Sequence, residues 1–154
     1  MNQTSCGVLA LNGCGALLLC HLTGTRHWDV PKGLRENGEA VQAAALREAE
    51  EECGLRLEPD ALLDLGMFRY RPHKDLHLFA VLIERTDLEG LHCRSEFRDF
   101  RGRLQPEVDA FAWTPFHRVT ASCAPSLAAV LTRRLSLADL EAHLLERTRS
   151  RSGA

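Results

Sequence analysis

The chain has 154 residues, of which 45% are hydrophobic and 26% charged, enough for one domain with a substantial core. A formal net charge of −2 leaves no basic field for nonspecific DNA binding, and no apolar run is long enough to span a bilayer. Six cysteines form no CxxC pair and no Cys/His cluster with zinc spacing, so reduced thiols in a cytoplasmic protein are the expectation.

The apolar start, "CGVLALNGCGALLLC", has no Lys or Arg in residues 1–5 and is interrupted by Asn12-Gly13. It reads as two strands, 5–11 and 15–22, joined by a turn, rather than as an export signal. "HWDVPKG" is a short extended piece, because Pro31 keeps Val30 out of helical conformation. A Glu-rich helix over 40–53 follows, ended by Gly54. Strands are expected at 62–71 and 75–85, the second apolar on both faces and therefore central. Residues 86–106 are polar and read as a long loop or ragged hairpin before a short strand, "DAFAW". Two C-terminal helices, 125–134 and 137–147, complete a single domain over 1–147, with Ser136 as N-cap of the second and a disordered tail at 148–154. The order predicts a mixed α/β domain with helices on both sides of a sheet.

The helix at 40–53 carries Glu48, Glu50, Glu51 and Glu52. Like charges at this spacing repel. With Val41 at the origin of a helical wheel, Ala44, Ala45, Glu48 and Glu52 all fall within roughly 60° of it, Glu51 lies at about −80° and Glu50 on the opposite side. Glu48 and Glu52 therefore continue the apolar face instead of opposing it. Carboxylates turned toward the body of a protein take up protons unless they are compensated. A divalent cation with oxygen ligands provides that compensation. Arg47 flanks Glu51 at i, i+4 and can orient it.

The stretch "GLRENGEAVQAAALREAEEECGL" resembles the Nudix box. Its defined positions fall on Gly33, Glu39, Arg47, Glu48, Ala49, Glu51, Glu52, Gly54 and Leu55. Only Ala49 is small for its aliphatic slot. "WDVPKG" and "PEVDAFAW" are similar to the segments before and after the box in that family. The resemblance implies the Nudix α/β/α sandwich, a mixed β-sheet between helices. It also implies hydrolysis of a nucleoside diphosphate linked to a group X, with magnesium, or alternatively manganese.

By that resemblance Glu48, Glu51 and Glu52 are metal ligands, joined by the carbonyl of Lys32 or Gly33. Arg47 orients the carboxylates, while Glu39 and Gly54 are structural. Glu107 is a candidate metal ligand or general base, and Glu96 competes with it. Ala40 stands where many members place a Ser or Thr N-cap.

The identity of X is less marked. "WDVPKG" is similar to diadenosine polyphosphate hydrolases and diphosphoinositol phosphatases, which favours a dinucleoside polyphosphate. Alternatives are a MutT-like nucleoside triphosphate pyrophosphohydrolase, an RNA 5′-end pyrophosphohydrolase and a non-catalytic nucleotide-binding module. Lys32 is a candidate phosphate contact, as are one or two of Arg94, Arg98, Arg101 and Arg103. Of the aromatic residues Trp28, Phe68, Tyr70 and Phe79, only Tyr70 is expected to be partly exposed. The expected partner is a nucleotide or polyphosphate, and the expected state a monomer or homodimer.

Overall fold

The computed structural model describes residues 2–84 and 88–153. Arg85, the expected end of the strand at 75–85, lies outside them, as do Thr86 and Asp87 of the following loop.

Strands β1 (Gln3–Leu11) and β2 (Ala16–Leu22) bury both of their faces. Cys6, Val8, Ala10, Leu18 and Cys20 point into one hydrophobic cluster, and Leu9, Leu11, Leu17 and Leu19 into another. That two-sided burial explains why both strands read as continuous apolar runs. Two short strands follow, β3 (Trp28–Asp29) and β4 (Lys32–Leu34). Further along, β5 (Leu63–Arg71) and β6 (Lys74–Leu82) form an antiparallel pair. β6 runs parallel to β1 along its whole length, so it is central as expected. Its partner on the other side, β5, is the edge.

β1 also pairs with β4, through Ser5, Cys6 and Gly7, and meets β2 at Leu11↔Leu17. β2 then turns away to pair with β3 and with β9 (Val108–Pro115). The polar stretch between β6 and β9 holds a separate two-stranded hairpin, β7 (Glu96–Arg98) and β8 (Leu104–Pro106).

Helix α1 (Val41–Cys53) lays Ala44, Ala45, Ala49 and Cys53 on the cluster formed by Cys6, Val8, Ala10 and Cys20. Free thiols of Cys20 and Cys53 meet there, their sulfurs 3.0 Å apart. Gly54 ends the helix at φ 70°, a left-handed conformation that costs glycine little. The opposite face is covered by α2 (Val119–Ser122), α3 (Pro125–Ala129), a π-helical turn (Val130–Arg134) and α4 (Leu137–Ser152). Leu127, Leu131, Leu140 and Leu144 pack there against Leu9, Leu11, Leu17 and Leu19. The result is the expected α/β/α sandwich.

The C-terminal end differs from the sequence expectation in its secondary structure. The tail continues α4 to Ser152 instead of being disordered from residue 148. Its last turns are held by Thr148 and Ser152 hydroxyls donating to the carbonyls of Leu144 and Thr148. Arg151 reaches the Asp60 carbonyl at 2.9 Å.

Candidate active site

Strand β4 and the loop that follows it to Ala40 return the chain over the face of α1 that carries the carboxylates. Glu48 and Glu52 are buried, at 8% and 7% exposure, continuing the alanine face as the helical wheel predicts. Glu51 is half-buried on the flank. Glu52 Oε2 accepts the Lys32 backbone amide at 3.2 Å. Gly33 lies so close to Glu48 that a Cβ there would overlap its carboxylate, so the glycine serves close approach.

Arg47 ties these parts together. Its Nε and Nη2 each donate to one oxygen of Glu39 at 2.9 Å, a bidentate pair. Nη1 donates to Glu48 at 2.8 Å and to Glu51 at 3.3 Å, and Nη2 also reaches the Leu34 carbonyl. Glu39 accepts the Glu36 amide as well, fastening the loop to the helix. The Arg47 hydrogen bonds, with the Glu36 amide, hold the Glu39 carboxyl at about 2. Burial has the opposite effect on its neighbours. It raises Glu52 to about 9 despite the Lys32 amide, and raises Glu48 in spite of Arg47, with the Glu51 and Glu107 charges adding to the rise.

The Glu107 charge is therefore close enough to be felt at Glu48. Its backbone is clamped on both sides, the amide donating to the Ser95 carbonyl at 3.0 Å and the carbonyl accepting the Thr23 amide at 3.1 Å. Its competitor Glu96 is exposed on β7.

The NUDIX domain family matches residues 1–135 of the chain. This chain belongs to the Nudix family. A protein of Enterobacteria phage T4, an uncharacterized 17.7 kDa protein in the e-segB intergenic region, is 36% identical over 138 residues, covering 82% of this chain and 91% of the phage protein. Among solved structures, a putative Nudix hydrolase family member from Chromobacterium violaceum superposes with a TM-score of 0.64 at 16% identity, covering 97% of this chain and 92% of that one. A C. elegans Ap4A hydrolase binary complex gives a TM-score of 0.58 at 18% identity, covering 84% and 92%. These structures share the fold. Nudix hydrolases act on phosphorus-containing anhydrides and use divalent metals, and this chain is such an enzyme.

Within this Nudix site the box residues converge only in part. Arg47 Nη1 bonds both Glu48 and Glu51. Among the described residues no three acidic, histidine or cysteine groups gather into a ready-made ion cage. The donor chemistry nevertheless fits a hard divalent cation, since buried carboxylates and adjacent backbone carbonyls are all oxygen ligands. Two of those carboxylates are buried with raised proton affinity, as cation ligands are when no cation compensates them.

Lys32 is engaged through both its backbone and its side chain. Its backbone faces Glu52, but its ammonium is paired to Asp29 at 2.9 Å and lies 5.5 Å from the Tyr70 ring centre. Burial works against this charge, yet Asp29 and Tyr70 outweigh it and the lysine pKa is raised. The side chain braces this segment against Asp29. Asp29, buried and bonded also to the Val30 amide, is the site-supporting residue that sequence reading passed over. Its spacing of three from Lys32 was the available signal.

Tyr70, expected to be partly exposed, is buried beneath Lys32 and Arg71. The loop arginines are occupied at the surface. Arg94 faces Glu50, Arg98 donates to the Gly102 carbonyl, Arg101 lies over Phe100, and Arg103 pairs with Asp99. No described helix is long and apolar enough to cross a membrane.

Proposed function

We propose that this protein hydrolyses a pyrophosphate bond in a nucleoside diphosphate linked to X, with dinucleoside polyphosphates as the preferred substrates. The observation that carries the reading is the placement of Glu48 and Glu52 against the Lys32–Gly33 backbone, braced by Arg47. Magnesium, or manganese in its place, would be held by Glu48, Glu51 and Glu52 with the Lys32 or Gly33 carbonyl. When bound it neutralises phosphate charge and lowers the pKa of water. Arg47 holds Glu48 in one orientation, so that little reorganisation is needed during reaction. Glu107 takes the proton of the attacking water, a role worth about 10²–10⁴ in rate. The Asp29–Lys32 pair fixes the loop whose amide and carbonyls line the site. The similarity of "WDVPKG" to diadenosine polyphosphate hydrolases, and a fold shared with an Ap4A hydrolase, support the choice of X.

The test is product release in magnesium from diadenosine tetraphosphate, nucleoside triphosphates, nucleotide sugars, NADH and 5′-triphosphorylated RNA. Diadenosine tetraphosphate should be the best substrate, with Glu107→Gln slower by about 10²–10⁴. Preferred turnover of triphosphates or RNA would replace this X with the corresponding alternative. Turnover of nothing in the panel would place X outside these substrate classes.

A further inference from the structure

A helix leaves its last four carbonyls without partners of its own. At the end of α1 the Gly54 and Leu55 amides serve the Glu50 and Ala49 carbonyls, at 2.8 and 3.2 Å. Further donors come from the segment between β6 and β7. The His92 amide donates to the Cys53 carbonyl at 3.0 Å, and the Arg94 and Ser95 amides converge on the Glu51 carbonyl at 2.9 and 3.4 Å. Residues 91–95 therefore cap the turn of α1 that carries Glu51 and Glu52.

Side chains seat this segment on the helix. Leu88, Leu91 and Cys93 pack against the hydrophobic cluster beneath α1, and the Arg94 guanidinium lies 3.6 Å from Glu50. The His92 ring rests against Gly54, where a Cβ would come within 2.5 Å of it. Gly54 thus serves both the left-handed turn and the approach of His92.

The same segment reaches Glu107. The Ser95 carbonyl accepts the Glu107 amide at 3.0 Å, at the base of the β7–β8 hairpin, while the Ser95 amide is turned to Glu51. A single residue thus joins the backbone of a box carboxylate to the backbone of Glu107. The Ser95 hydroxyl meets the Cys93 thiol at 3.4 Å and takes no part in either link.

We infer that Ser95 is a positioning residue, whose amide and carbonyl fix Glu107 in place relative to the carboxylates of α1. The inference rests on the hydrolase reading above and adds what holds the two halves of that site in register. A general base acts only within about 2.6–3.2 Å of the atom whose proton it takes, or through one water. A shift of the backbone that carries it is therefore felt in the rate. Both links are made by the main chain, so they require an N–H at residue 95 and not a hydroxyl.

The experiment compares Ser95→Pro, which removes the amide, with Ser95→Ala, which keeps it. Each is made in the wild type and in Glu107→Gln, and hydrolysis of diadenosine tetraphosphate is followed in magnesium. Circular dichroism verifies folding; should Ser95→Pro not fold, Arg94→Pro removes the shorter bond to Glu51 and carries the same prediction. The proline variant should lower kcat by roughly 10- to 100-fold with KM little changed, and Ser95→Ala should keep wild-type kcat. In the Glu107→Gln background proline should cost almost nothing further, because both changes act through one group. Equal costs in the two backgrounds, a cost confined to KM, an equal loss in Ser95→Ala, or no loss at all would overturn the assignment. A second arm reads the link without turnover, by amide hydrogen exchange. The proline variant should speed exchange of the Glu107 amide by about fivefold or more, and unchanged protection there would also overturn it. A wild type that does not hydrolyse diadenosine tetraphosphate, with the exchange effect intact, would defeat the substrate reading and leave the positioning link standing.

Discussion

Glu48 is placed by a residue with no side chain. Because a Cβ on Gly33 would occupy the space of the Glu48 carboxylate, Gly33→Ala must push the loop and the carboxylate apart. Displacements of about 1 Å can cost around a hundredfold in rate, and a loss of that order in kcat/KM is expected, with the fold retained. Unchanged kcat/KM would mean that Glu48 is not held against this loop during reaction. Glu39 makes a prediction about acid stability. Its carboxyl is depressed from 4.5 to about 2, so the stability it contributes is fully present above pH 4.5 and is lost as pH falls toward 2. Urea unfolding of wild type and Glu39→Gln should show a gap that is constant at neutral pH and closes over that acid range. A gap independent of pH would show that the Arg47–Glu39 pair does not persist in solution. These roles were legible to different degrees. The spacing of Arg47 and the glutamates marked the box, whereas the turn of Lys32 toward Asp29 had only a spacing of three to signal it, since strand periodicity does not say which way a long side chain folds back.

At the scale of elements, α1 was readable because its signals are local: carboxylates and alanines at helical spacing, and a glycine at its end. Its start is weak for an equally local reason. Ala40 has extended N-cap geometry, φ −66° and ψ 146°, but no side-chain oxygen to offer the first turn. Ala40→Ser should stabilise the protein by about 1 kcal/mol, a rise of about 2–4 °C in Tm, and a thermal melt checks it. No rise would place the limiting stability outside this helix. The β7–β8 hairpin was legible only as one of two options. Its residues lack strand alternation, and its turn is built by Asp99 accepting the Arg101 and Arg103 amides. A charge-rich segment conceals such contacts from a pattern search. The extension of α4 brings Arg151 to the Asp60 carbonyl, a contact between residues 91 apart in sequence that local propensity does not contain.

Across the whole molecule, the order of elements and the apolar runs of β1, β2 and β6 sufficed for the α/β/α sandwich, since strands buried on both faces need helices on both sides. They left open whether the C-terminal leucines cover the core or a partner. Leu131 is fully buried among Leu127, Leu140 and the strand residues of the same cluster. Leu131→Ala should therefore cost about 2–5 kcal/mol, and by an amount independent of protein concentration. A cost that vanishes on dilution would assign that face to an interface. This helical layer covers one face of the sheet, while α1 and the segment over it pack on the other face and present the carboxylates.

The most direct test of the central claim is the magnesium dependence of diadenosine tetraphosphate hydrolysis, measured for wild type and Glu52→Gln. Wild-type rate should rise to saturation with magnesium, be abolished by chelator and return when the ion is restored. The variant, folded to the same extent, should be slower by roughly a hundredfold or more at every concentration. A Glu52→Gln enzyme that keeps wild-type rate and magnesium response would contradict the assignment of the buried carboxylates as the metal-dependent centre.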